Sequence, residues 1–222
     1  MLFSAVVCLT CSSIFHLFYP MSGSTNYTYL ESYQVFSRLD YAGINVLIVG
    51  SSFPALYYGM YCSIDLAIYY LTIISFMGLT LFIISLFEYL HRSENLKKKA
   101  LAYGGFGVSL TIPLGHAIIN EVFYDNYGDP FSIQGSIGYY LLCGFFYLFG
   151  LYIYTVRCPE RHNPGKYNVC GNSHQIWHCF VVLGIVATYF GALENLETRK
   201  ICICPSNLWL RYINTNIVKN IK

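Results

Sequence analysis

Six long stretches of the chain contain no Asp, Glu, Lys or Arg, and this feature restricts the fold more than any other. A helix needs about 20 apolar residues to cross the hydrocarbon core of a bilayer. Each stretch is long enough for one crossing and too short for two, so we predict six transmembrane helices. The stretches are Met1–Leu30, Tyr41–Ile64, Leu66–Phe87, Ala100–Asn120, Pro130–Val156 and Tyr167–Leu193.

The composition excludes most other classes of protein. Only 11% of the 222 residues are charged, whereas about a quarter are charged in a typical soluble domain. So few charges also argue against a disordered chain and against a nucleic-acid partner bound through a basic face. Apolar runs such as Leu71–Phe87 do not alternate in polarity as membrane strands do. We therefore predict an all-α membrane protein, with a helical bundle over residues 1–196 and a C-terminal tail over residues 197–222.

The basic residues of the linkers predict the orientation of the bundle. Helices joined by short linkers alternate in direction, and we call the side between the first two helices side A. The linkers on side A contain eight Lys and Arg residues, and the linkers on the opposite side contain none. An excess of basic residues marks the cytoplasmic side, so we predict that side A is cytoplasmic, although the basic tail opposes this assignment. The side-A linkers are Tyr19–Leu39, Tyr89–Lys99 and Arg157–Lys166.

Polar residues from three helices are predicted to meet on side A. Ser12 and His16 lie near the end of the first helix, Asp40 at the start of the second, and His174 and His178 near the start of the sixth. Alternation places these three helix ends at the same depth. Ionisable side chains within a membrane are costly and are commonly functional or paired.

The spacing of these residues is typical of a zinc site. His174 and His178 are four residues apart and share one helix face, as in zinc-binding HExxH helices, but without the protease glutamate. His16 would complete a three-histidine site with an open fourth position, the catalytic type. Asp40 would hold or orient water, whose pKa zinc lowers to about 7. The alternative is a group of interfacial histidines that hydrogen-bond to neighbours and hold no metal.

Three segments resemble motifs of the progestin and adipoQ receptor family, and they are most similar to the adiponectin receptors. The segments are Cys11–His16, Phe36–Ile44 and Pro159–His178, and the resemblance covers roughly residues 4–196. Family members have seven transmembrane helices and a cytoplasmic N-terminus. The resemblance implies that the six helices correspond to the second to seventh helices of the family. The first helix and the cytoplasmic domain before it have no counterpart, so we expect upstream sequence to have been lost.

The resemblance also implies roles for the five polar residues. His16, His174 and His178 would bind zinc near the cytoplasmic face. Asp40 would position or deprotonate the metal-bound water, and Ser12 would be a hydrogen-bonding neighbour.

Two functions agree with these expectations. The adiponectin receptors are associated with ceramidase activity, so the first is zinc-dependent hydrolysis of ceramide or a related lipid amide, within lipid-metabolism signalling. The second is a non-enzymatic receptor or lipid-state sensor with structural zinc, which binds an extracellular protein ligand and cytoplasmic signalling partners that the sequence does not identify. Either would be a multi-pass protein of the plasma membrane or the endoplasmic reticulum.

Overall fold

The structure is a computed structural model that describes residues 1–18, 27–87, 95–124, 134–167 and 170–201. All regular secondary structure within these residues is helical, which confirms the predicted fold class. A short 3₁₀ turn, Tyr61–Ser63, joins the second and third α-helices. The α-helices are α1 (Leu2–Phe18), α2 (Tyr27–Gly59), α3 (Ile64–Ser85), α4 (Leu96–Ser109), α5 (Thr111–Tyr124), α6 (Gln134–Val156) and α7 (Ser173–Ile201).

Five segments of the described chain are long and apolar enough to cross a membrane, and α1 is a shorter apolar helix of 17 residues. Helices α4 and α5 share one of these spans and are separated only by Leu110. Pro113 lies in the first turn of α5, where its missing N–H leaves the carbonyl of Ser109 without a helical partner. The six predicted helices are therefore α1, α2, α3, α4 with α5, α6 and α7, and the chain is a multi-pass integral membrane protein.

The predicted start of the second helix is wrong. Residues Tyr19–Leu39 are predicted as a linker, but α2 begins at Tyr27, so Asp40 lies well inside the helix. A helix of 33 residues is about 50 Å long, which exceeds the roughly 30 Å of the hydrocarbon core. The first turns of α2 therefore tolerate Glu31 and Arg38, and a search for charge-free residues detects only the part of the helix that follows them.

Helix α2 is the centre of the bundle, since it packs against α1, α3 and α7 and also contacts α4 and α5. Helix α6 packs along α7. The main buried cluster combines side chains of α1, α2, α4 and α7. Its members are Ala5, Cys8, Tyr41, Ile44, Leu47, Tyr103, Trp177, Val181 and Ile185.

Glycines set the close approach of α1 to α2. A Cβ atom at Gly43 would lie 3.1 Å from Cα of Cys8, and one at Gly50 would lie 2.4 Å from Cβ of Ser4. Small residues allow helix backbones to approach closely in membranes, where packing rather than water exclusion holds helices together. The contacts move towards the start of α2 as they move towards the end of α1, so the two helices are antiparallel. The last turns of α1 therefore lie beside the first half of α2.

Glycines also set the close approach of α6 to α7. A Cβ atom at Gly184 would lie 2.6 Å from Cε1 of Tyr147, and one at Gly150 would lie 2.7 Å from Cβ of Phe180. Each glycine receives a large side chain of the opposite helix, which fixes how far α7 can slide along α6. The start of α7 is thereby held near the end of α6.

Other sequence predictions concern residues at the edges of the described chain. Helix α7 continues through residue 196 to Ile201. Residues 202–222 of the predicted tail lie outside the described residues, as do 19–26 and 88–94 of the side-A linkers. The division into a bundle and a tail stays a prediction.

Candidate metal centre

The structure brings together the three histidines that the sequence predicts to meet. His16 lies in the last turn of α1, and His174 and His178 lie in the first two turns of α7. One ring nitrogen from each of them lies within 4.8 Å of the other two. His16 is more than 150 positions from the other two in the chain, and the packing of α1 and α7 around α2 makes them neighbours.

Asp40 and Ser12 lie in the same group. The Asp40 carboxylate places Oδ2 at 3.2 Å from Nε2 of His174 and Oδ1 at 3.6 Å from Nε2 of His178. Ser12 Oγ lies 3.1 Å from Nε2 of His178 and forms a hydrogen bond with it. All five predicted site residues therefore contribute to one cluster, although their roles there remain predictions.

The cluster has the dimensions of a metal site. Nε2 of His174 and Nε2 of His178 are 3.1 Å apart. Two nitrogens on a tetrahedral zinc ion at 2.0–2.1 Å are about 3.3 Å apart. The imidazole nitrogens of the three histidines can thus hold one metal ion. Imidazole is a common ligand of zinc, copper, iron and nickel, so the ligand type alone does not select among them.

The burial of Asp40 also fits a cation. Its side chain is 1% exposed, and neither carboxylate oxygen receives a hydrogen bond of normal geometry. A buried carboxylate without compensation costs several kcal/mol. A divalent cation held by the adjacent imidazoles would offset that cost.

Aromatic side chains surround His174. The Tyr41 ring stacks on it, with centroids 6.0 Å apart and 14° between the planes. The hydroxyl of Tyr41 is hydrogen-bonded to that of Tyr154, whose ring centroid lies 5.3 Å from that of His174. Phe15 of α1 lies 5.7 Å away by the same measure. The sequence signals Tyr41 only through its position next to Asp40, and Tyr154 resembles the many tyrosines that lie near helix ends.

The sequence prediction that places Lys99 in a linker is also wrong. This residue is predicted to belong to the linker Tyr89–Lys99, but α4 begins at Leu96, and Lys99 lies inside it and is only 5% exposed. Its ammonium group lies 4.2 Å from the centroid of the Tyr41 ring. A cation over an aromatic face is favourable when it is desolvated. Alternation of the helices places Lys99 on side A, but no spacing in the sequence connects it with the site.

An apolar cavity of about 200 Å³ lies between α2, α4, α5, α6 and α7. On α7 its lining runs from Trp177, next to His178, to Thr188, which is a distance of about 16 Å along the helix axis. Tyr103 also lines the cavity and stacks on Tyr41 at 6.0 Å. The cavity therefore lies near the histidine cluster, with Trp177 and Tyr103 in its lining, although none of the five cluster residues lines it.

The family model for haemolysin-III related proteins matches residues 1–189. The chain belongs to the haemolysin-III related family. Its helical bundle and its histidine cluster both lie largely within the matched residues, and His174 and His178 are near their end.

Relatives in this family include receptors and heptahelical membrane proteins. The chain is 35% identical over 190 residues to the adiponectin receptor protein of Drosophila melanogaster. The aligned residues cover 86% of the chain and 40% of that protein. It is 34% identical to progestin and adipoQ receptor-like protein 1 of Caenorhabditis elegans, over 90% of the chain and 44% of the relative. It is 34% identical to heptahelical transmembrane protein 4 of Arabidopsis thaliana, over 90% of the chain and 49% of that relative.

These similarities confirm the predicted resemblance to the progestin and adipoQ receptors. The chain spans about half the length of these relatives or somewhat less. This member of the haemolysin-III related family is an adiponectin- and progestin-receptor-like membrane protein with a three-histidine cluster.

Metal binding by the cluster is directly testable. We expect the chain purified in mild detergent to carry about one zinc ion, because three imidazoles and an open position form a common zinc site. A His174→Ala/His178→Ala double variant should lose it, since two of the three nitrogens are removed. The measurement is metal content by mass spectrometry.

The matched control is His116→Ala. His116 belongs to α5, where its Nδ1 forms a 2.8 Å hydrogen bond with the Tyr70 hydroxyl, and it is not part of the cluster. This variant should keep its zinc. A folded wild-type chain without zinc, or zinc kept by the double variant, would contradict the assignment.

Proposed function

We propose that the protein is a zinc-dependent intramembrane hydrolase of ceramide or a related lipid amide and acts in lipid-metabolism signalling. One observation carries this proposal: a buried carboxylate, Asp40, lies within 3.2–3.6 Å of two members of a three-histidine cluster. An apolar cavity beside that cluster supports a lipid substrate. The names of the adiponectin and progestin receptor relatives support a signalling role.

Zinc bound by His16, His174 and His178 would polarise the amide carbonyl and activate water at neutral pH. Asp40 would act as the general base. Its Oδ1 or Oδ2 would accept the proton of the attacking water and pass it to the leaving amine nitrogen. A base must lie within hydrogen-bond reach of the proton that it takes, and the position of Asp40 against two of the three imidazoles meets that requirement.

The neighbours of the cluster would keep these groups in place. The Tyr41 ring restrains His174 by stacking, and Ser12 Oγ lies 3.1 Å from Nε2 of His178, where its hydroxyl would lie beside the bound zinc. Both side chains come from helices other than α7, so the relative position of three helices determines the site. Preorganisation of this kind supplies much of the rate enhancement in enzymes.

The cavity would hold the acyl chain. Its opening to the bilayer would lie between α4 and α6, since Gly107 and Gly144 both line it and neither has an atom of another helix within 4 Å of the place of a Cβ. An acyl chain that lies in the bilayer would enter at this point without crossing water. A lipid that enters here would reach the cluster with its polar amide beside Trp177 and Tyr103.

The second candidate function is a receptor or lipid-state sensor with structural zinc. It is favoured by the receptor names of the relatives and by the way the cluster joins the end of α1 to the start of α7. In this case an extracellular protein ligand would act on the bundle, and the metal would transmit the change between helices to cytoplasmic partners.

Removal of the carboxylate separates the two functions. Asp40→Asn should keep zinc, because the three imidazoles remain, but should lower ceramide hydrolysis by at least about a hundredfold, as expected for a lost general base. The measurement is turnover of a labelled ceramide by the purified protein, beside its zinc content. Glu31→Gln is the matched control, since it removes an exposed carboxylate of the same helix.

Full turnover by Asp40→Asn would refute this mechanism. A wild-type protein that binds zinc but hydrolyses no lipid amide, and whose signalling survives the Asp40→Asn change, would favour the sensor.

Lateral entry of the substrate predicts a selective effect of a bulky residue at Gly107. Gly107→Trp should fill the opening and raise the KM for a long-chain ceramide while zinc content stays unchanged. Gly105→Trp is the control, because Gly105 lies two residues away, is exposed and does not line the cavity. Equal kinetics for the two variants would exclude entry between α4 and α6.

We propose that side A, and with it the metal centre, faces the cytoplasm of the plasma membrane or the endoplasmic reticulum. The eight basic residues that alternation places towards side A, in linkers or near helix ends, support this orientation. Cys170 is an exposed free thiol in the linker between α6 and α7, on side A. A membrane-impermeant maleimide should label it once digitonin opens the plasma membrane, and not in intact cells. Label on intact cells that disappears in Cys170→Ser would reverse the orientation.

A further inference from the structure

Glu160 makes an unusual contact with the start of α7. It lies in the turns that follow α6, and its carboxylate accepts two hydrogen bonds from Ser173, the first residue of α7. The Ser173 backbone N–H donates to Oε2 at 2.8 Å, and the Ser173 hydroxyl donates to Oε1. Ser173 is 2% exposed, so this contact is shielded from competing water. Nothing in the proposed chemistry uses Glu160.

The other caps of this helix end are local. Asn172 Oδ1 accepts the N–H of Gln175 at 3.0 Å, and Gln175 Oε1 accepts the N–H of Gly171 at 2.6 Å. They resemble a capping box, except that Gln175 bonds the N–H of the residue before the N-cap, and the Asn172 bond satisfies a first-turn N–H that lacks a helical partner. Such a box stabilises the first turn but does not determine where that turn lies in the bundle. The bond from Glu160 connects the same turn to a different part of the chain.

That part of the chain is the end of α6. Backbone hydrogen bonds lead from Tyr154 to the turn that holds Glu160, since the N–H of Arg157 donates to Tyr154 O and the N–H of Arg161 donates to Arg157 O. Tyr154 contacts His174 through its ring. Glu160 therefore fixes the start of α7 relative to the helix that supports one face of His174.

We propose that Glu160 is a positioning residue of the metal centre, which holds His174 in its ligating position through Ser173. This inference rests on the proposed metal-binding function. His174 directly follows Ser173, so a displacement of that residue moves the imidazole, whereas His178 lies one turn further along α7. Loss of partners that orient metal ligands commonly lowers metal affinity by 10–100-fold.

Three substitutions of Glu160 separate the effect of the length of its side chain from the effect of its negative charge. Glu160→Gln keeps the length of the side chain: its amide oxygen accepts the Ser173 N–H, and its amide nitrogen donates to the Ser173 hydroxyl. Glu160→Asp keeps the negative charge but is one methylene too short. Glu160→Ala lacks both. If the carboxylate positions His174, Glu160→Gln should keep zinc affinity within about twofold, whereas Glu160→Asp and Glu160→Ala should each lose about tenfold.

The measurement is zinc affinity of the purified full chain by competition with a chromophoric chelator, beside the visible spectrum of the cobalt-substituted protein. The intensity of the cobalt bands reports tetrahedral coordination, and it should fall in Glu160→Asp and Glu160→Ala. Arg161→Ala, an exposed neighbour in the same turn, is the control and should behave as wild type. Thermal midpoints of the metal-free proteins separate a general loss of stability from a loss of ligand position.

The outcomes distinguish the two proposals. Unchanged affinity in all variants, or a midpoint that falls while zinc affinity and the cobalt spectrum stay unchanged, would overturn the positioning role and leave the metal centre intact. Affinity kept by Glu160→Asp, or lost by Glu160→Gln as fully as by Glu160→Ala, would also overturn it, since charge would then be the cause. A wild-type chain that binds no zinc would refute the metal centre itself and this inference with it.

Discussion

The buried carboxylate of Asp40 is the constraint on which the arrangement of this bundle depends. It lies inside α2, is 1% exposed, and faces the imidazoles of His174 and His178. A charge at this depth is tolerated in a membrane only beside suitable partners. Helix α7 must therefore begin next to α2, and α1 adds Ser12 and His16 to the same group. This requirement explains why α2 lies at the centre of the bundle.

Close helix packing turns this requirement into a defined geometry. Gly43 brings α1 against α2 just beyond Asp40, and Gly184 accepts the Tyr147 ring between α6 and α7. The three histidines thus lie on helices whose separation is set by backbone contact rather than by long side chains. Glu160 adds a polar restraint at the start of α7, through its hydrogen bond from the Ser173 N–H.

Much of the fold was predictable from charges alone, and the errors of that prediction have one cause. Charge-free stretches locate the parts of helices inside lipid, because a charge there is costly. They do not locate the ends of helices, since α2 begins at Tyr27 and includes Glu31 and Arg38. They also misplace a buried charge that has a local partner. Lys99 looks like a linker residue, yet it lies in α4 against the face of Tyr41.

The sequence by itself determined the order of the apolar segments, the shared face of His174 and His178, and the common side of the polar residues from three helices. These properties depend on the helical period and on alternation, which are local and regular. Only the tertiary structure decided that Asp40 meets both imidazoles, that a cavity adjoins them, and that Glu160 bonds Ser173. Such contacts join separate elements, so they depend on how helices rotate and slide against one another, which no spacing within a single helix encodes.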